Sequence, residues 1–113
     1  GVKFSLRAEL PHILPIPESD LCVLLSNALE NALHACKGAD DSIEVQTYEK
    51  NGKFFLQMVN DCREAVRFED GIPVTNQPGH GIGVSSICAI AERHGGLYSF
   101  SVREGKFVLR VSL

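Results

Sequence analysis

The spacing of apolar positions changes along the chain. Val2 to Leu10 alternates imperfectly and reads as a strand, after which Pro11, Pro15 and Pro17 punctuate a connector. A helix follows, capped by Ser19 or Asp20, running to about Lys37 and stopped by Gly38. Ser42–Glu49 then turns to period two, with Ile43, Val45 and Thr47 on one face. Asn51-Gly52 is a hairpin signal, and Phe54, Leu56 and Met58 share a face of the returning strand to Asn60. From Asp61 to Pro78 no period persists, so the stretch reads as a loop, long enough to be functional. Gly83 to His94 reads as a second helix, closed by Gly95-Gly96. A last hairpin turns at Glu104-Gly105, with Tyr98, Phe100 and Val102 alternating before it and Phe107, Leu109, Val111 and Leu113 after it.

Strands that are apolar on one side only belong to a sheet covered on one face. The expected fold class is therefore α/β (α+β): a two-layer sandwich with a mixed, mostly antiparallel sheet under the helices. No internal repeat appears, and 113 residues fit one domain over 1–113.

The first helix carries an uncommon polar line. At about 100° per residue, Asn27, Asn31 and His34 fall within about 60° of one another, and Asp20 lies on the same line. The opposite arc holds Leu21, Cys22, Leu25, Ala28, Leu29, Ala32, Leu33 and Cys36 as a core stripe, with Leu24 and Ala35 flanking the polar line. Asparagine is a poor helix former, because its amide competes for backbone hydrogen bonds. Two of them one turn apart read either as a stripe facing a ligand and its metal ion or as surface residues.

The run "GHGIGVSS" is the second candidate. Gly79, Gly81 and Gly83 expose peptide N–H groups ahead of a helix N-terminus, which suits phosphate; a hinge or tight turn is the plain alternative. A dinucleotide fingerprint does not fit, because Val84 stands where its third glycine belongs and a long loop separates the run from the preceding strand.

Composition narrows the classes. The chain is 44% hydrophobic and 22% charged, which is globular. A net charge of −3 argues against nucleic acid as a partner. No apolar run is long enough for a membrane span, and no secretory leader is seen. Cys22, Cys36, Cys62 and Cys88 show no CxxC spacing, so zinc is not expected and the thiols read as reduced.

"LLSNALENALHAC" (24–36) followed by "GHGIGVSSICAIAERHGG" (79–96) resembles the N box and second glycine box of the GHKL superfamily of ATP-binding domains. Within it, the chain is most similar to the catalytic domain of sensor histidine kinases of the peptide- or quorum-sensing type, over about residues 18–113. The resemblance implies a Bergerat-type fold, ATP and Mg²⁺ as cofactors, and residues 61–82 as an ATP lid. It implies that Asn31 ligates Mg²⁺, that Asn27 stands where related ATPases carry a general-base Glu, and that His34 approaches the phosphates. Gly79, Gly81 and Gly83 would form the lid hinge and phosphate path, with His80, Ile82 and Val84 between and after them. Ile82 and Val84 read as packing residues, and His94 receives no role.

The family's DxGxG after the hairpin strand is replaced by "MVNDCREAV". Asn60 falls at the Asp position that reads the adenine amino group, with Asp61 the second candidate if the register slips by one; "EDGIP" (69–73) lies too far along to supply the missing half. The implied partners are ATP, the dimerisation and phosphoacceptor helices of the same kinase, and a response regulator. His12, among prolines, is not a helical acceptor. The chain is then expected to be the cytoplasmic catalytic part of a longer homodimeric kinase in the bacterial plasma membrane. A hydrolase of the same superfamily and a non-enzymatic interaction module are the alternatives.

Overall fold

The structure, a computed structural model, describes residues 2–36, 38, 40–74 and 82–113. Strand β1 (Lys3–Ala8) leads through helix α1 (Glu18–Ala35) to strands β2 (Ser42–Lys50) and β3 (Lys53–Asp61). Two short strands, β4 (Arg67–Glu69) and β5 (Ile72–Val74), precede helix α2 (Ile82–Arg93). Strands β6 (Leu97–Arg103) and β7 (Lys106–Ser112) close the fold. The main sheet runs β1-β2-β3-β7-β6, with β1 parallel to β2 and every other pair antiparallel. Both long helices lie on one face, so the expected mixed two-layer sandwich is what forms.

Local chemistry explains most of these elements. Asn51 (φ 52°) with Gly52 (φ 77°), and Glu104 (φ 50°) with Gly105 (φ 76°), place two left-handed residues in each hairpin turn. That pattern matches the strand twist. Helix α2 ends in a Schellman motif: Gly95 N–H donates to Glu92 C=O and Gly96 N–H to Ala91 C=O. Gly96 then passes against β7, where a Cβ would stand 2.2 Å from the Ser112 carbonyl oxygen.

The core lies between the sheet's inner face and the helices. It holds Ile43, Val45, Leu56, Met58, Leu109 and Val111 from strands, and Leu24, Ala28, Ile87 and Ala91 from helices. Each large buried aliphatic contributes about 1.5–3 kcal/mol relative to exposure.

Several expectations need correcting. Neither Ser19 nor Asp20 caps α1: the helix begins at Glu18 behind Pro17, no side chain caps it, and Glu18 and Asp20 sit in its first turn. Pro17 is compatible there because its fixed φ enters the helix and its missing N–H has no partner to lose. The helix ends at Ala35; Lys37, its expected end, lies outside the described residues. The buried stripe is Leu21, Leu24, Ala28 and Ala32, while Cys22 and Leu33 are exposed. Leu24, expected at the stripe's margin, is its most buried leucine, because α1 packs on α2 as well as on the sheet. Val102 is also exposed rather than inward. Finally, the expected loop contains the β4–β5 hairpin, turned by Asp70 (φ 52°) and Gly71 (φ 79°). Its strands are three residues each, too short to show a period.

Candidate nucleotide site

The polar line of α1 begins where the two helices meet. Asn27 Nδ2 donates to the Val23 carbonyl one turn back, at 3.0 Å. That bond turns Oδ1 outward, and a Cβ built on Gly83 would stand 3.5 Å from it. The start of α2 therefore lies against the amide, with room at position 83 for little more than a methyl group.

At the far ends of the helices, Asp20 Oδ2 meets His94 Nε2 at 2.7 Å, and Arg93 reaches Asp20 Oδ1 at 3.3 Å. The hydrogen bond with His94 holds the Asp20 carboxyl below its ordinary range. The end of α2 is thus tied to the start of α1, and α2 begins opposite the middle of α1. Asn31, half-buried, and His34 continue along α1 past the first turn of α2. His34 is exposed at 58%, with its ring 4.0 Å from the Glu30 carboxylate on the same helix. Asp20, on the same line in sequence, belongs to the helix-end contact instead.

Of the glycine run, Gly79, His80 and Gly81 lie outside the described residues. Ile82 opens α2, Gly83 faces Asn27, and the Val84 side chain is buried in the core. Val84 therefore packs in the core.

Asn60 and Asp61 separate cleanly. Asn60 follows Phe54, Leu56 and Met58 on the helix-facing side of β3 and is 2% exposed. Its Nδ2 donates to the Asp61 carbonyl at 3.0 Å. Asp61 points to the other face, where it accepts from the Ser42 peptide N–H at 2.6 Å, from Ser42 Oγ at 3.1 Å, and from Lys106. The Lys106 hydrogen bond, then that of the Ser42 N–H, keeps its carboxyl below the usual range. Asp61 thus pins the adjoining ends of β2, β3 and β7.

A second clamp joins Arg63 to Asp41. Arg63 Nη2 and Nε both donate to Asp41 Oδ1, at 2.7 and 3.2 Å, and Gly38 N–H donates to the other carboxylate oxygen at 3.1 Å. Asp41 is buried. The pair ties the turn after α1 to the chain leaving β3, beside Asn60. Its only signal was an acidic residue just before a strand and an arginine just after the next.

Among the described residues no group of three or more His, Cys, Asp or Glu side chains could hold a metal. Amide oxygens such as that of Asn31 are hard donors that suit Mg²⁺, which needs few protein ligands when phosphates supply the rest. The residues present fit such an ion.

The GHKL domain profile matches residues 17–113. The chain belongs to the GHKL domain family. Comparison with curated protein sequences returns no match. Solved structures place the fold among histidine kinase catalytic domains. The mycobacterial sensor histidine kinase MprB superposes with a TM-score of 0.76 at 16% identity, over 99% of this chain and 80% of that one. The nucleotide-free catalytic domain of histidine kinase ThkA gives 0.75 at 17% identity, over 99% and 78%. Full-length ShkA in complex with AMPPNP gives 0.76 at 16%, over 99% of this chain and 25% of ShkA. No helix among the described residues of this GHKL domain is long and apolar enough to cross a membrane.

Proposed function

We propose that this GHKL domain is the ATP-binding catalytic domain of a two-component sensor histidine kinase of the peptide-sensing type. It holds ATP with Mg²⁺ between α1 and a lid formed by residues 61–82, and presents the γ-phosphate to a histidine on a dimerisation helix outside this chain. The observation that carries the reading is the convergence of Asn27 on α1 with Gly83 at the start of α2. The N-terminus of α2 adds a partial positive charge there, suited to phosphate oxygens.

Each residue then has a task. Asn31 offers an amide oxygen to the ion, whose chemistry is to neutralise phosphate charge and hold the phosphates in one geometry. Asn27 lines the phosphates, and His34 approaches them from the next turn. Asn60 has its Nδ2 engaged by the Asp61 carbonyl, which leaves an acceptor for the adenine amino group. Gly79, His80, Gly81 and Ile82 contribute peptide groups of the hinge. In the transfer, the acceptor imidazole nitrogen bonds to the γ-phosphorus as the bridge to ADP breaks. The protein's part is positioning and electrostatic stabilisation. An amide at Asn27 cannot take a proton from water, which favours transfer over hydrolysis.

The parent kinase would lie in the bacterial plasma membrane as a homodimer, with this domain on the cytoplasmic side and a response regulator downstream. The deciding experiment is a calorimetric titration of wild type and Asn31→Ala with ATP, with and without Mg²⁺. Magnesium-dependent binding lost in Asn31→Ala is expected. Absence of any heat with ATP or ADP in the wild type would overturn the reading.

A further inference from the structure

The two edges of the main sheet differ. β6 forms one and contacts α2; β1 forms the other, and all six of its residues are exposed. The helical layer stops short of β1. Phe4, Leu6 and Ala8 stand level with Ile43, Val45 and Thr47, which are buried under the helices. Yet Phe4 is 55% and Leu6 59% exposed.

The peptide groups of β1 are also sorted. Lys3 N–H donates to the Asp41 carbonyl at 2.9 Å and Glu9 N–H to the Thr47 carbonyl at 3.0 Å. In a parallel ladder alternate residues bond to the same neighbour. Lys3, Ser5, Arg7 and Glu9 therefore turn toward β2, while Phe4, Leu6 and Ala8 turn their N–H and C=O groups to the open edge. Such an edge is a template for another strand.

We propose that this edge pairs with the same edge of a second copy of the chain, antiparallel, about a twofold axis at Leu6. Leu6 then faces the partner's Leu6, and Phe4 faces the partner's Ala8, so that outward-turned peptide groups meet outward-turned peptide groups. On the opposite face Lys3 meets the partner's Glu9, and Arg7 meets the partner's Ser5. Twofold symmetry makes two of each heterogeneous pair.

Charge selects this register over its neighbours. Centring on Ser5 would set Lys3 against the partner's Arg7, and centring on Arg7 would set Arg7 against the partner's Arg7. Like charges directly opposite are destabilising. Sliding by a half-step would face open peptide groups with groups already bonded to β2. Only the Leu6 axis joins opposite charges, covers Phe4 and Leu6, and completes the ladder. The contact between α1 and α2 at Asn27 and Gly83 lies away from this edge, so the pairing is independent of the nucleotide reading.

Sedimentation equilibrium of the chain without nucleotide, from micromolar to millimolar concentration, tests the proposal. The average mass is expected to rise from one chain toward two. Lys3→Glu and Glu9→Lys, each at an exposed position, should weaken association by about tenfold or more, because two attractive cross-strand pairs become repulsive. The double variant Lys3→Glu/Glu9→Lys exchanges the charges and should return the dissociation constant to within about threefold of wild type. A single-chain mass at every concentration would leave the edge to a strand of some other protein and overturn the proposal. So would single variants that associate like wild type, or a double variant no tighter than the singles.

Discussion

Gly83 rests against Asn27, close enough that a Cβ on the glycine would stand 3.5 Å from the amide oxygen. The residues lie 56 positions apart in the chain, and their contact sets the start of α2 against the polar line of α1. A methyl group at that distance makes an ordinary van der Waals contact. Gly83→Ala should therefore keep the fold, and the better helix propensity can add up to about 1 kcal/mol of stability. A longer side chain has to displace Asn27. Gly83→Leu should weaken ATP binding by about tenfold or more, the order that overpacking produces. Thermal melts paired with ATP titrations check both; Gly83→Leu binding ATP like wild type would place the phosphates elsewhere.

Asn60 makes a prediction about the base. With its Nδ2 held by the Asp61 carbonyl, Oδ1 suits the amino group of adenine and opposes the keto oxygen of guanine. Wild type should prefer ATP to GTP. Asn60→Ala should lose roughly tenfold in ATP affinity, the scale of one lost hydrogen bond, and narrow the preference. Equal ATP binding by wild type and Asn60→Ala would remove Asn60 from base recognition.

Gly96 tests packing alone. A Cβ there would stand 2.2 Å from the Ser112 carbonyl oxygen and 2.9 Å from a Leu113 methyl carbon. Backbone must move to admit it. Gly96→Ala should cost about 1–3 kcal/mol or more, read from urea unfolding. A variant as stable as wild type would mean that Gly96 and the end of β7 do not lie in this close contact.

Asp61 predicts acid sensitivity. Its carboxyl is held below the ordinary value by Lys106 and Ser42. A depressed carboxyl contributes stability above its unfolded pKa and loses it as pH falls through the folded value. The melting temperature should hold near neutrality and fall as pH drops below about 4. Asp61→Asn should lower the neutral-pH melting point and flatten the acid limb. An acid limb unchanged by Asp61→Asn would assign the proton uptake to other carboxyls, such as Asp20.

What the sequence determined by itself was local. The hairpins at Asn51-Gly52 and Glu104-Gly105, the end of α2 at Gly95-Gly96, and the inward faces of β2, β3 and β7 depend on a few neighbouring residues. Backbone sterics and period-two alternation encode them directly. Asn27 and Asn31 stood out as candidates because two poor helix formers lie one turn apart, whereas Asn60 became a candidate only through its place in the resemblance to GHKL domains. What only the tertiary structure decided depended on two or more elements at once. The buried arc of α1 centres near Leu24 rather than Cys22 and Leu33, because two neighbours cover it. Asn60 and Asp61 are adjacent in the chain and alternate to opposite faces of β3, but what Asp61 meets there, Ser42 of β2 and Lys106 of β7, only the pairing of the three strands decides. The His94–Asp20 and Arg63–Asp41 contacts join residues 74 and 22 positions apart. Separation of that kind leaves no periodic trace, because the energy that brings such pairs together is the burial of the core between them.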